Sequence, residues 1–278
     1  MKKLTWLLSI GFLALVLAAC GTSEDENQSA SEGEESSETE GNGDENLLKE
    51  IQDNGELVIG TEGTYRPYTF HDDNDELTGF DVEIAREVAD RLGVEAVFNE
   101  TKWDSMFAGL NAGRFDMVAN QVGIREDRQE KYDFSNPYIQ TSAVVVTNKD
   151  NDSIQSFEDL EGVNTAQSLT SNYRDIAEAN KAEITGVEGF NESMQMIASN
   201  RIEATVNDRL SVLDYMQQRP EAPVKIAARA DEASESGLLF RKGNEELVEA
   251  VNEALKEMKE DGTYLEISEK WFGEDVSK

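Results

Sequence analysis

The sequence predicts an α/β protein of two lobes with a ligand cleft between them, and three observations carry that prediction. Apolar runs of three to five residues, the length of buried strands, alternate with helical apolar spacings from Leu57 onward. The alternation occurs twice, between Leu57 and Ala119 and again between Ala143 and Ala227. In open sheets of this kind ligands bind outside the carboxyl ends of the strands, so a cleft between two such units is the first place to look.

The first unit opens on Leu57-Val58-Ile59-Gly60, which reads as a buried strand. In Gly79-Phe80-Asp81 the aspartate is a candidate cap for a helix with Ile84, Val88 and Leu92 on one face. Ala96-Val97-Phe98 is strand-like, Asp104 is a second candidate cap before Phe107 and Leu110, and 115–119 is a further strand. This β-α-β-α-β order implies a mostly parallel sheet with helices on both faces. The second unit begins at Ala143-Val144-Val145-Val146, and Ser156-Phe157-Glu158-Asp159 resembles a capping box. Strands are expected over 163–167, 184–187, 204–206 and 224–227, with helices near 173–179 and 191–199. Asp208 caps a helix carrying Val212, Leu213 and Met216. Leu238-Leu239-Phe240 resumes a strand pattern. A long helix follows, with Leu247, Val251, Leu255 and Met258 on one face and a stop at Gly262; a last helix carries Tyr264, Ile267, Trp271 and Phe272.

Composition excludes several functions. The 278 residues carry a formal net charge of −33, which argues against nucleic acid as a partner because phosphate binding needs clustered Lys and Arg. The single cysteine, Cys20, permits no internal disulfide and no cysteine-rich zinc site, and the single histidine, His71, disfavours a Ser-His-Asp hydrolase. No metal or cofactor is expected.

The N-terminus reads as an address. Lys2 and Lys3 precede an apolar stretch that ends in Leu17-Ala18-Ala19-Cys20, the pattern of a secretory signal peptide. Leu-Ala-Ala-Cys also resembles the bacterial lipoprotein signal, in which the cysteine is lipidated and becomes the new N-terminus. The stretch 21–46 holds ten acidic residues and no basic ones, with almost nothing apolar; it is expected to be a disordered, self-repelling leash.

Several residues can carry binding chemistry, and each has an ordinary alternative. Arg128 follows a strand and Gly123; it can clamp a carboxylate bidentately or sit solvated on a charged helix. Asp208 can pair with an ammonium or only cap its helix. Trp103 offers a stacking platform or a hydrophobic staple. Tyr65 and Tyr68 line a pocket or cover the core. Asn120 and Gln121 end a strand, where their amides can face a polar ligand.

Taken together, these segments resemble the polar-amino-acid-binding proteins of ABC importers, solute-binding family 3, over roughly 47–276. The resemblance is carried by GTEGTYRPYTF from Gly60, LTGFDVEIAREVADRLG from Leu77, NQVGIREDRQEKYDFSNPY from Asn120, AQSLTSNY from Ala166, ATVNDRLSVLDY from Ala204 and KEDGTYLEISEKWFG from Lys259. It implies a type II periplasmic-binding-protein-like fold whose lobes are joined by two crossing strands, near 138–143 and 234–238, and close on ligand like a clamshell. The implied division is a signal peptide at 1–19, the lipidated Cys20 and linker over 20–46, one lobe of 47–140 plus 237–278, and a second of 141–236. The implied site holds an α-carboxylate with Arg128 and backbone N–H groups around Ser168, Leu169 and Thr170. Asp208 takes the α-ammonium, Tyr65 and Trp103 sandwich the side chain, and Asn120, Gln121 and Gly123 complete the wall. The Asn-Gln-Val-Gly version of that wall, with AQSLTSN and VNDRLSVLDY, is most similar to the L-cystine-binding branch, and Glu62 is placed to meet a second ammonium. The expected partners are an amino acid, an ABC permease with its ATPase and, through the lipid, the outer face of the cell membrane; the chain is expected to be monomeric. Three rival readings are a cyclohexadienyl-dehydratase-like enzyme using Glu62 as an acid, a polar or basic amino-acid-binding protein of different specificity in which Glu62 meets a basic side chain, and a sensory module.

Overall fold

The computed structural model describes residues 46–278. The signal peptide, Cys20 and the linker up to residue 45 lie outside the described residues. No helix among the described residues is long and apolar enough to cross a membrane.

Helix α1 (Leu47–Asn54) is capped by the Asn46 side chain, which accepts from the Lys49 N–H at 3.2 Å. It leads into β1 (Glu56–Thr61) and a small antiparallel sheet of β2 (Thr64–Tyr65), β3 (Thr69–His71) and β4 (Leu77–Thr78). Helix α2 (Phe80–Leu92), β5 (Glu95–Glu100), α3 (Trp103–Asn111), β6 (Met117–Val118), the short α4 (Glu126–Gln129) and β7 (Tyr132–Phe134) follow. The chain then enters a second sheet through β8 (Ile139–Asn148), β9 (Asn164–Gln167), α5 (Asn172–Ala179), β10 (Glu183–Gly186), α6 (Phe190–Ala198), β11 (Ala204–Asp208), α7 (Arg209–Gln218) and β12 (Val224–Ser236). It returns to the first sheet with β13 (Leu239–Arg241) and ends in α8 (Glu245–Asp261) and α9 (Thr263–Phe272).

The two five-stranded sheets are ordered β5-β1-β6-β13-β7 and β10-β9-β11-β8-β12. In each, three strands are parallel and the other two add antiparallel pairings, so the sheets are mixed rather than wholly parallel. The strand period of two sends alternate residues to opposite faces. Ile59, Met117 and Phe240 join the core shared with α2 and α8, whereas Val58, Val118 and Leu239 face α3. In the second sheet Val144 and Val146 face α6 and α7, and Ala143 and Val145 face α5. Burying each such Leu, Ile, Val or Phe side chain contributes about 1.5–3 kcal/mol.

The chain passes twice between the sheets, and the passes pair with each other. Ser236, Glu235 and Ser234 of β12 oppose Ile139, Gln140 and Thr141 of β8. The loop after β6 joins them: Ile124 donates to the Glu235 carbonyl at 2.8 Å and Gly237 to the Val122 carbonyl at 3.1 Å.

Some local expectations are corrected. Asp81 and Asp104 lie in the first turns of α2 and α3; the N-caps are Gly79 and Lys102, neither making a side-chain cap bond. Gly79 is required there: its φ is 129°, and a Cβ would lie 2.2 Å from the Tyr68 carbonyl oxygen. The strand expected over 115–119 contracts to two residues. Phe115 instead wedges between Gly60 and Gly109, where a Cβ would approach its ring to 2.7 and 2.6 Å. The stretch 156–159 forms a single 3₁₀ turn, Glu158–Leu160, with the Asp159 carboxylate accepting from the Gln155 and Ser156 N–H groups. Asp208 caps α7 as expected, accepting from the Ser211 N–H at 2.9 Å.

Candidate functional site

A small cavity of about 40 Å³ lies between the carboxyl ends of the two sheets' strands. Glu62, Tyr65, Trp103, Asn120, Gln121 and Ser168, all named from the sequence, line it. Ser171, Asn172, Tyr173, Gly189, Phe190 and Asn207 complete the wall.

Arg128, on α4, is absent from the cavity lining and stands behind Trp103, which is part of it. Burial pushes its pKa down to about 10, with the neighbouring Arg125 charge adding to the effect, so the guanidinium stays charged at neutral pH. Its Nη1 donates to the Gly123 carbonyl at 3.0 Å and its Nη2 to the Thr170 carbonyl at 3.1 Å. The guanidinium carbon lies 5.6 Å from the Trp103 ring centre and 5.3 Å from that of Phe107. No carboxylate among the described residues stands within ion-pair distance of it. Gly123 is absent from the lining but leaves space there: a Cβ would lie 3.6 Å from both Arg128 Nη1 and the Asn172 amide.

Asp208 is fully buried, and burial raises its pKa against the opposing hydrogen bonds from Thr141, Ser211 and Tyr68. Oδ1 accepts from the Tyr68 hydroxyl and the Ser211 N–H, both at 2.9 Å; Oδ2 accepts from the Thr141 hydroxyl at 2.6 Å. No cation among the described residues pairs with it. The Gln121 side chain stands between this carboxylate and the cavity, donating through long contacts to Asp208 Oδ2 at 3.5 Å and to the Tyr173 hydroxyl at 3.3 Å. Asp208 is therefore one layer behind the lining. A buried guanidinium without an anion and a buried carboxylate without a cation, on elements of different sheets, form an arrangement that an outside zwitterion can complete.

Gln121 is itself held in place. Its backbone has φ 50°, and its N–H donates to Asp81 Oδ2 at 2.6 Å. The other Asp81 oxygen accepts from the Tyr138 hydroxyl at 2.9 Å, and burial pushes this carboxyl up to about 7. Asp81, read from sequence as a cap, fastens the site loop to the crossing strand.

Glu62 also lines the cavity. Its Oε2 accepts from the Asn120 amide at 2.8 Å, and its backbone N–H donates to Asn120 Oδ1 at 2.8 Å, so Asn120 serves Glu62 rather than offering a free amide. Burial pushes Glu62 up to about 7; the Asn120 bond opposes this and the Asp104 charge reinforces it. The same glutamate borders an outer groove of about 770 Å³ with Lys102 and Glu188.

Thr170 and Leu169, expected to act through their backbone N–H groups, are absent from the cavity lining. The Thr170 N–H and hydroxyl both bond Asp104 Oδ1, at 3.1 and 2.7 Å, so that N–H is already engaged. The Leu169 side chain is 51 % exposed and rests against Gly186 outside the cavity. The sequence reading passed over Phe190, Tyr173 and Asn207 as wall residues. Phe190 meets Tyr65 edge-on at 5.7 Å between ring centres, and Asn207 Oδ1 accepts from the Tyr65 hydroxyl at 3.2 Å. The segments SLTSNY and VND hold two of the three, and an aromatic or amide beside a strand end was the available signal.

The cleft is shut by contacts between elements of the two sheets. Arg66 bonds Asp214 at 3.2 Å, Asn191 donates to the Thr64 carbonyl at 2.8 Å, and Arg125 pairs with Asp175.

Comparison with known proteins fits this geometry. Residues 57–274 match the bacterial extracellular solute-binding proteins, family 3. The L-cystine-binding protein TcyA of Bacillus subtilis is 51% identical over 279 residues, covering 100% of both chains. The L-cystine solute receptor of Neisseria gonorrhoeae, solved unliganded and open, is 49% identical, covers 83% of this chain and 99% of its own, and superposes with a TM-score of 0.57. An ancestral arginine-binding protein bound to arginine is 39% identical over 78% of this chain and 98% of its own, yet gives a TM-score of 0.75. The more distant sequence, solved with its ligand, gives the higher TM-score of the two.

Proposed function

Because the chain belongs to the bacterial extracellular solute-binding proteins of family 3, we propose that it captures a free amino acid, L-cystine, between its lobes and delivers it to an ABC importer. The lobes are 47–140 with 237–278, and 141–236. A lipid on Cys20 and the acidic leash hold the protein, as a monomer, at the outer face of the cell membrane. The observation that carries the binding reading is a buried guanidinium with no carboxylate at ion-pair distance, Arg128, and a buried carboxylate with no cation, Asp208, among the described residues; both lie behind the cavity lining, and Gln121 and Trp103 of that lining contact them.

In this reading the ligand α-carboxylate bonds Arg128 and the start of α5, where Asn172 lines the cavity, because helix N-termini and guanidinium forks both favour anions. The α-ammonium displaces the Gln121 amide from Asp208. Tyr65, Trp103 and Phe190 cover the disulfide-bearing chain. Glu62, held by Asn120, receives the second ammonium of cystine at the opening to the outer groove. A cavity of about 40 Å³ cannot hold the whole molecule, so capture precedes closure and the walls part around the ligand. The specificity reading also rests on the likeness to TcyA and to the gonococcal receptor, whose names state L-cystine.

A thermal-shift panel of the twenty amino acids plus L-cystine tests the assignment, because a ligand that binds only the folded state raises its melting temperature. L-cystine is expected to give the largest rise; no rise with any amino acid would defeat the proposal. A second reading, a dehydratase acting through Glu62, is favoured by that residue's pKa near 7. Conversion of prephenate or arogenate to an aromatic product would establish it.

A further inference from the structure

Asp104 sits in the first turn of α3, which packs on β1, β6 and β13 of the first sheet. It does not cap that helix, whose N-cap is Lys102. Among the described residues its hydrogen bonds both cross the cleft to Thr170, in the turn between β9 and α5 of the second sheet. Arg128 holds the carbonyl of that same threonine at 3.1 Å. Thr170 is thus gripped by its N–H, its hydroxyl and its carbonyl, all from the first-sheet side. The turn needs no such help to form: Ser171 donates to the Ser168 carbonyl at 3.2 Å, and the Ser171 hydroxyl oxygen accepts from the Tyr173 N–H.

From this geometry we infer that Asp104 is a positioning residue that latches the closed cleft by holding Thr170. The inference rests on the proposed closure around an amino acid and adds a residue to it. The two bonds can form only when the lobes meet, so they favour the closed state and leave the open one unaffected. They therefore slow ligand release rather than speed capture. They also steady the Thr170 carbonyl that orients the Arg128 fork, which couples carboxylate recognition to closure. The contact is exposed to water, which keeps its effect modest.

The test uses the full chain with L-cystine, comparing the native protein with Asp104→Ala, Thr170→Val and the double variant by stopped-flow and calorimetry. Asp104→Ala is expected to release ligand about five- to tenfold faster, with the association rate within about twofold and the ligand-free melting temperature unchanged. Thr170→Val removes only the hydroxyl bond and is expected to show a smaller effect. The double variant should be no weaker than Asp104→Ala, and Asp104→Asn, which keeps the Oδ1 acceptor, should recover part of the loss. An unchanged release rate would overturn the inference. So would tighter binding, which would make Asp104 a competitor for the ligand carboxylate, or full additivity with Thr170→Val. If the native chain does not bind L-cystine, the ligand reading has failed instead. X-ray scattering of the empty protein then decides: Asp104→Ala must lower the compact fraction, and an unchanged curve refutes the latch.

Discussion

Replacing Arg128 by alanine separates ligand recognition from folding. In the structure the guanidinium donates two hydrogen bonds to backbone carbonyls. Bonds to charged groups contribute about 1.5–3 kcal/mol each, so together they favour the native state by roughly 3–6 kcal/mol. Against this stands the cost of burying the charge. A pKa lowered from 12.5 to about 10 means that the protonated form is disfavoured in the folded state by roughly 3 kcal/mol at neutral pH. The two effects partly cancel, leaving a loss of roughly 0–3 kcal/mol, and Arg128→Ala is expected to fold with a melting temperature at most about 10 °C below native. Binding has no such cancellation. A ligand carboxylate would enter a buried site without its cation, at a cost of about 3–5 kcal/mol, which weakens Kd by roughly 10²- to 10³-fold or more. Isothermal calorimetry with L-cystine, paired with a thermal melt, reads both quantities. A Kd within threefold of native would show that the guanidinium does not meet the ligand, and the reasoning about the cavity would fall with it.

Asp208→Asn is expected to keep the α7 cap, because asparagine caps as well as aspartate, while weakening L-cystine binding at least about a hundredfold; calorimetry and circular dichroism check the two halves. The empty protein should lose stability as pH rises from the ordinary carboxylate range to about 7. Glu62 and Asp81 both have folded-state pKa values raised to about 7, so the folded chain binds more protons than the unfolded one across that window. Urea titrations at pH 5 and pH 8 should differ by several kcal/mol at most, with Asp81→Asn flattening the slope; equal stability at both would contradict the assignment. Gly79→Ala should cost more than about 2 kcal/mol by urea titration, since the added Cβ meets the Tyr68 carbonyl in a left-handed backbone; a loss under about 0.5 kcal/mol would contradict that geometry.

What the sequence disclosed follows from what periodicity can encode. Ile84 and Val88 of α2, and Leu247, Val251, Leu255 and Met258 of α8, announce their helices because one buried face repeats at helical spacing. The strands β1, β8 and β11 are legible because a buried strand is a short apolar run. The strands β2 to β4 were missed because two or three residues hold no period. Asp81 and Asp104 were misread for one reason. An aspartate in a helix's first turn looks like a local cap, but their partners, Tyr138 and Thr170, lie 57 and 66 positions away. The same distance in sequence hid Phe190 and Asn207, which become wall residues only when the second sheet closes over Tyr65. Leu169 is named for its backbone N–H, and its side chain, turned to solvent, takes no part in the cavity wall.

A crystal structure of the chain grown with L-cystine probes the account at its centre. One α-carboxylate should lie within hydrogen-bond distance of both Arg128 terminal nitrogens or of one of them and the start of α5, with the adjacent ammonium on Asp208 and the Gln121 amide moved aside. Ligand density elsewhere, or density in the cleft with Asp208 still sealed behind Gln121, would contradict a site completed by the two charges of an incoming zwitterion.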